Sequence, residues 1–207
     1  MGLMKRFFAQ TRKPEGVLGK IMVNGMNGGH SKLADWGMTH LEGIEAKSIV
    51  ELGCGGGRNA AELLRRYPDS KLSALDYSEI SVKKTQEYNQ KAIEDGRCSV
   101  HCGNVASLPF KADAFDFATA FETVYFWPGL EDCFSEVFRV LKKGGVFLIC
   151  NESDGTDETS LKYEKMIDGM KCYTVDQLTQ TLRDAGFSSV ESDHHPGRPW
   201  ITVIARK

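Results

Sequence analysis

The chain has 207 residues, 41% of them hydrophobic and 26% charged, which is the size and make-up of one globular α/β domain able to bury its own core. Its formal net charge of -2 gives no field suited to nucleic acid or an anionic membrane, and no window approaches the ~20 apolar residues of a membrane span. Gln10, Arg12 and Lys13 follow closely on Phe7-Phe8, so no secretory leader is read, and Arg6 stands where a myristoylation signal needs Ser or Thr. The expected location is the cytoplasm. Cysteines at 54, 98, 102, 133, 150 and 172 lie largely in apolar stretches and suit buried thiols better than a disulfide framework.

Residues 1 to 47 carry no strand signal. Met22 to Trp36 joins three glycines to Met, His30 and Trp36, the make-up of a mobile cover or, equally, of a helix-packing linker. Ser31 then opens a helical stripe of Leu33, Trp36 or Gly37, Leu41 and Ile44. Residues 1–46 are therefore read as an N-terminal helical cap or lid, and 47–207 as the core of a single domain.

From residue 48 short β-rich runs alternate with helical patterns. Ser48–Leu52 reads as a strand, followed by a glycine turn and a helix over about 57–67. Lys71–Asp76 is a second strand, with a polar helix over about 79–94. Cys98–Cys102 and Phe115–Ala120 are the third and fourth strands. Cys98, His101 and Cys102 resemble a metal cluster, but in a strand 98 and 102 share one face and 101 points to the other, so no metal is expected. Leu130, Phe134, Val137, Phe138 and Leu141 recur at helical spacing, and Gly144-Gly145 is read as ending that helix before strand Val146–Cys150. A capping box, Thr174 with Gln177, opens a helix that stops at Gly186. Strands over about 188–193 and Trp200–Ala205 close the chain as a hairpin around Pro196–Pro199. The pattern predicts a doubly wound, seven-stranded, mostly parallel sheet whose C-terminal hairpin contributes one antiparallel strand.

The informative stretch is Val50 to Asn59, in which glycines at 53, 55, 56 and 57 link the first strand to a helix. Such a turn lets a ligand approach the backbone and its amide donors. A dinucleotide fingerprint would need glycine where Arg58 stands. Asp76 ends the second strand 23 residues beyond Gly53, where a carboxylate can accept hydrogen bonds from both hydroxyls of a ribose.

With these residues the sequence resembles the class I S-adenosylmethionine (SAM)-dependent methyltransferase family over nearly its whole length beyond residue 45. Glu51–Gly57 looks like the family's first motif, Leu75–Ser78 its acidic second and Gly103–Phe110 its third. Phe115–Phe117 leading into Phe121–Tyr125 looks like the fourth, and Val140–Leu148 like the helix–turn–strand that follows. The resemblance implies SAM as cofactor. Gly53 and Gly55 would clear room for its methionine part, with Glu51 as loop organiser. Asp76 would hold the ribose and Tyr77 would pack on the adenine. Asn104 stands where the family often has Asp, and its amide oxygen can still accept from the adenine amino group. Phe121 and Glu122 would line the sulfonium and the substrate entrance, while Cys54, Gly57, Ser78 and Val105 complete the expected cofactor set.

The implied reaction is methyl transfer to a small-molecule acceptor, with proximity and orientation as the main contribution of the protein. His30, Glu122 and Tyr125 are the candidates for a base, should the acceptor need one. Phe121-Glu-Thr-Val replaces the NPPY-like tetrapeptide of amino methylation of bases and glutamine, and no nucleic-acid partner is expected. Tyr125 to Pro128 suits a substrate wall or a core plug equally. The alternatives are an NAD(P)-dependent oxidoreductase, disfavoured by Arg58, and a SAM-binding module without catalysis. Oligomeric state has no sequence signal.

Overall fold

A computed structural model describes residues 31–207, and helices are numbered here from the first described one. In chain order the elements are α1 (Ser31–Gly37), a 3-10 turn (Met38–Leu41), β1 (Ser48–Leu52), α2 (Arg58–Arg66), β2 (Lys71–Asp76), α3 (Glu79–Tyr88), α4 (Gln90–Glu94) and β3 (Cys98–Cys102). They continue with β4 (Phe115–Phe121), a 3-10 turn (Val124–Phe126), α5 (Leu130–Val140), β5 (Leu141–Asn151), α6 (Glu158–Met166), α7 (Val175–Asp184), β6 (Ser189–His194) and β7 (Ile201–Arg206).

The strands form one sheet in the order β3-β2-β1-β4-β5-β7-β6. Strands β1 to β5 pair in parallel, and β7 runs antiparallel to both β5 and β6, as the hairpin requires. The chain winds outward from β1 to β3, then returns to place β4 on the other side of β1. Loops leaving β1 and β4 therefore diverge, and the crevice between them is where open α/β sheets bind ligands.

Alternation along the strands sends side chains into two cores. Ile49, Phe117, Leu148 and Cys150 meet α1, the 3-10 turn after it and α2 through Leu33, Ala34, Met38, Ala60 and Leu63. On the opposite face Val50, Ala118, Phe147 and Ile149 meet α5 and α7 through Phe134, Val137, Leu178 and Leu182. The cap residues 31–46 are thus part of the core that covers one sheet face. Among the described residues no helix is long and apolar enough to cross a membrane. Far from the ligand crevice, Asp116 stitches strand starts together: Oδ2 accepts the N–H groups of Lys47 and Ser48, and Oδ1 accepts from Lys142 Nζ at 2.7 Å.

Three elements differ from the sequence reading. The polar helix breaks at Asn89, whose Nδ2 donates to the carbonyls of Gly57 and Thr85 at 2.9 and 3.1 Å. Strand β5 starts at Leu141, five residues earlier than the glycine pair suggests: Leu141 pairs with Phe115, and a register shift before Phe117 absorbs residues 142–145. Helix α6 has no counterpart in the sequence reading. It is capped by Asp157, which accepts the Ser160 N–H, but buries no residue and so leaves no apolar stripe to detect.

Candidate active site

Strand β1 ends at Leu52, and the chain turns through 53–57 into α2. The N–H groups of Gly53 and Cys54 both donate to the Leu75 carbonyl, at 2.7 and 3.1 Å, which holds the turn against the end of β2. Gly53 has φ +82°, and a Cβ there would stand 2.6 Å from the Cβ of Thr123, so a hydrogen is all that fits. At Gly55 a Cβ would meet nothing within 4 Å. Of the two glycines expected to make room for a ligand, Gly55 borders open cavity, whereas the space beside Gly53 is filled by Thr123.

Asp76 closes β2 with its carboxylate fixed by backbone donors. Oδ2 accepts the Gly55 N–H and Oδ1 the Ser78 N–H, both at 2.9 Å. Burial raises this carboxyl above its ordinary value, and the bonds from Ser78, Gly55 and Tyr77 oppose that rise. The Tyr77 N–H and the Ser81 side chain hydrogen-bond the same carboxylate, so a ligand hydroxyl would share its oxygens with these donors. Glu51, on the adjacent strand, is fully buried; burial and then the charge of Asp76 push its carboxyl well up, and its Oε2 has no hydrogen-bond partner.

A cavity of about 270 Å³ opens here. Its lining brings together Gly53, Cys54, Gly55, Asp76, Tyr77, Asn104, Val105, Phe121 and Glu122 from the predicted set. Glu51, Gly57, Ser78 and Tyr125 stand behind it. Gly57 begins α2 and packs on Thr85 and Asn89, and Ser78 caps α3 through the Ser81 N–H. Tyr77 is 41% exposed at the edge of this cavity. Asn104 Oδ1 accepts the Ala106 N–H at 3.0 Å, which retains one lone pair for an incoming donor. Glu136 and Arg139 of α5 fix this loop through the N–H of Leu108 and the carbonyls of Leu108 and Phe110. His30, and the suggested cover over residues 1–30, lie outside the described residues.

The second half of the site follows β4. Glu122 has φ +59°, a left-handed conformation rare for a residue with a side chain. Its N–H donates to the Cys150 carbonyl at 2.9 Å, which ties it to β5. Its Oε1 accepts from the Tyr125 hydroxyl at 2.9 Å and from the Glu152 N–H. The Tyr125 hydroxyl in turn accepts the Ser153 N–H at 3.1 Å. Burial, then the Glu152 carboxylate, push the Glu122 carboxyl up to about 8. Burial and Glu122 likewise keep Tyr125 protonated by raising it well above its ordinary value.

Several lining residues escaped sequence reasoning. Ser31, Leu33 and Ala34 of α1 form one wall, and Arg58 and Asn59 of α2 the next. Arg58 donates to Asp35, an ion pair joining the cap to the helix that follows the glycine turn. No local pattern announces a partner 23 residues away. Phe126, Trp127 and Pro128, from the stretch that the sequence offers as wall or plug, line the opposite side. Trp127 is wall and plug together: its ring stacks on Phe147 at 6.3 Å and 9°, and its Nε1 donates to Thr123 Oγ1 at 3.1 Å.

A seven-stranded doubly wound sheet with a single reversed strand, a glycine turn after β1 and an acid at the end of β2 defines the class I, Rossmann-like methyltransferase architecture. Residues 50–149, just under half of the chain, match the family model described as a methyltransferase domain. Among curated proteins it is similar to 24-methylenesterol C-methyltransferase 2 of Oryza sativa, 36% identical over 52% of this chain and 30% of the relative. A sterol 24-C-methyltransferase of Kluyveromyces lactis is 27% identical over 81% of this chain and 48% of its own. The chain therefore spans less than half the length of these relatives. A solved chain from the complex between the Haloferax volcanii Trm112 methyltransferase activator and a methyltransferase superposes with a TM-score of 0.82. It is 19% identical, over 90% of this chain and 93% of that one. Phosphoethanolamine N-methyltransferase 2 of Haemonchus contortus, solved with S-adenosylhomocysteine and a phosphorylated amine, gives a TM-score of 0.79 at 13% identity, over 100% of this chain and 61% of that one.

Proposed function

We propose that the domain binds SAM and transfers its methyl group to a small-molecule acceptor. The observation that carries the reading is the Asp76 carboxylate, fixed by the Gly55 and Ser78 N–H groups on the rim of a cavity that Gly55 leaves open. That carboxylate is an acceptor suited to the hydroxyls of a ribose diol, and the exposed Tyr77 ring with Asn104 and Val105 beside it fits an adenine. When bound, SAM supplies a methyl group already activated on a sulfonium. The chain's own residues then have three tasks: to bind the nucleoside, to align an acceptor and to take up a proton.

Leu33, Ala34, Phe121, Phe126 and Trp127 give the acceptor side apolar walls, which favour a weakly polar acceptor and exclude water. The sterol methyltransferase relatives act as support for that class. Glu122 is the titratable group that reaches the cavity there, and Tyr125 positions it from behind. A cytoplasmic location belongs to the same proposal and is supported by six free cysteines, five of them buried, which suit a reducing compartment.

Calorimetric titration with SAM and, separately, S-adenosylhomocysteine tests the reading. Binding of both near one per chain is expected. No heat from either with folded protein would overturn it.

A further inference from the structure

Resting on the SAM reading, we infer that Glu122 is the proton acceptor of the reaction and that its proton follows the charge on the cofactor sulfur, leaving when the sulfonium enters and returning as the thioether forms. Three observations carry this. Glu122 is held in a left-handed backbone conformation immediately after β4 and lines the cavity. Its Oε1 is anchored by the Tyr125 hydroxyl and the Glu152 N–H, so the group is positioned from outside the cavity. And it shares that cavity with Gly53, Gly55 and Asp76, so a unit positive charge bound there acts on it at short range.

The titratable groups that face Glu122 are Glu152 and Cys150 of β5 and its end, Tyr125 of the 3-10 turn, and Cys172 of the loop before α7. The thiols and the phenol are raised by burial and stay neutral, and Glu152 opposes ionisation of its neighbour. With the carboxyl at about 8, Glu122 is about nine-tenths protonated at pH 7. A sulfonium in the same cavity favours the carboxylate and expels that proton.

Methyl transfer then reverses the electrostatics. The lone pair of the acceptor atom X forms the X–CH3 bond, and the pair of the S–CH3 bond stays on sulfur, which becomes neutral. The proton of X–H passes to the Glu122 carboxylate, whose basicity rises because the positive charge beside it has gone. A base of this kind is ionised when the reactants are in place and becomes strongest as the products form.

Proton-linked calorimetry in buffers of differing ionisation enthalpy tests this between pH 7 and 8. SAM is expected to release roughly half a proton or more per site, and S-adenosylhomocysteine, which lacks the charge, close to none. Glu122→Gln, isosteric and still able to accept from Tyr125, should bind both with no difference in proton release. Equal release for the two ligands, or release from SAM that survives in Glu122→Gln, would overturn the inference while leaving the cofactor reading intact. Failure of both ligands to bind the natural protein would overturn the cofactor reading instead. Should Glu122→Gln not fold, Tyr125→Phe decides: it removes a donor to the carboxylate and must shift the pH midpoint of SAM-driven release upward, and an unmoved midpoint refutes the coupling.

Discussion

Gly53→Ala would set two penalties against each other in a way that can be measured. At φ +82° a side chain raises the backbone energy by about 1–2 kcal/mol. The new methyl also lands on Thr123, whose Cβ would be 2.6 Å away, and overpacking of this kind costs about 1–3 kcal/mol. Together they predict a loss of about 2–5 kcal/mol, a large part of the roughly 5–15 kcal/mol of a typical domain. Urea denaturation followed by circular dichroism, with the slope held constant, reads it as a lower midpoint. Thr123→Gly separates the terms. Alone it loses the Trp127 Nε1 bond at 3.1 Å, about 1 kcal/mol. In the double variant it removes the collision but not the backbone term, so the two changes should be less harmful together than their sum by about 1–3 kcal/mol. Strict additivity would show that Gly53 is not packed on Thr123 and would refute the account of the turn.

Gly55→Ala should give the opposite outcome: with nothing within 4 Å of the added methyl, stability falls by about 1 kcal/mol, yet the methyl enters the cavity and SAM affinity drops tenfold or more by calorimetry. Asp76→Ala should weaken SAM binding by about 1.5–3 kcal/mol, the range for bonds to a charged group, and unchanged affinity would remove the ribose assignment. Glu122→Gln should stabilise the protein increasingly as pH rises. The natural carboxyl, raised from 4.5 to about 8, contributes its full stability below 4.5 and loses it as pH climbs through about 8, so the two melting curves converge in acid and separate in alkali. Asp116→Asn carries the opposite sign. Burial raises that carboxyl, but Lys142 and the Lys47 and Ser48 donors outweigh it and hold it at about 2, below the ordinary 3.8. The loss should be about 2 kcal/mol at neutral pH and vanish as pH falls through about 2, read by thermal melts at both ends.

What the sequence disclosed divides along physical lines. Strands β1 to β3 were legible to the residue as short β-rich runs between helical patterns, and the Thr174–Gln177 box that opens α7 forms as its spacing requires. Elements decided by partners distant in sequence were not. The break at Asn89 has no Gly or Pro to mark it, since its cause is a bond to the Gly57 carbonyl 32 residues away. Gly144-Gly145 reads locally as a helix stop, yet pairing of Leu141 with Phe115 pulls the strand start ahead of it. The same holds in the site. Asp76 and Gly55 could be read from the glycine turn and the acid that follows, because cofactor chemistry imposes a local spacing. The left-handed backbone of Glu122, the Glu152 donor and the Arg58–Asp35 pair arise where separate elements converge, and no short-range pattern encodes them.

That division has a counterpart in how the site is built. Bonds between the ends of β1 and β2 fix its nucleoside half: the Gly53 and Cys54 N–H groups donate to the Leu75 carbonyl, and the Gly55 N–H to the Asp76 carboxylate. Bonds between β4 and β5 fix its acid–base half, with Glu122 on the Cys150 carbonyl and the Glu152 N–H on Glu122. The halves touch where Gly53 meets Thr123, at the switch point between β1 and β4. Side-chain changes within one half therefore leave the scaffold of the other in place, so Asp76→Ala is expected to weaken SAM and S-adenosylhomocysteine alike, whereas Glu122→Gln acts on the ligand that carries the sulfonium charge. A change at Gly53 acts on both halves at once, because it disturbs the single packing contact described between the two strand-end loops.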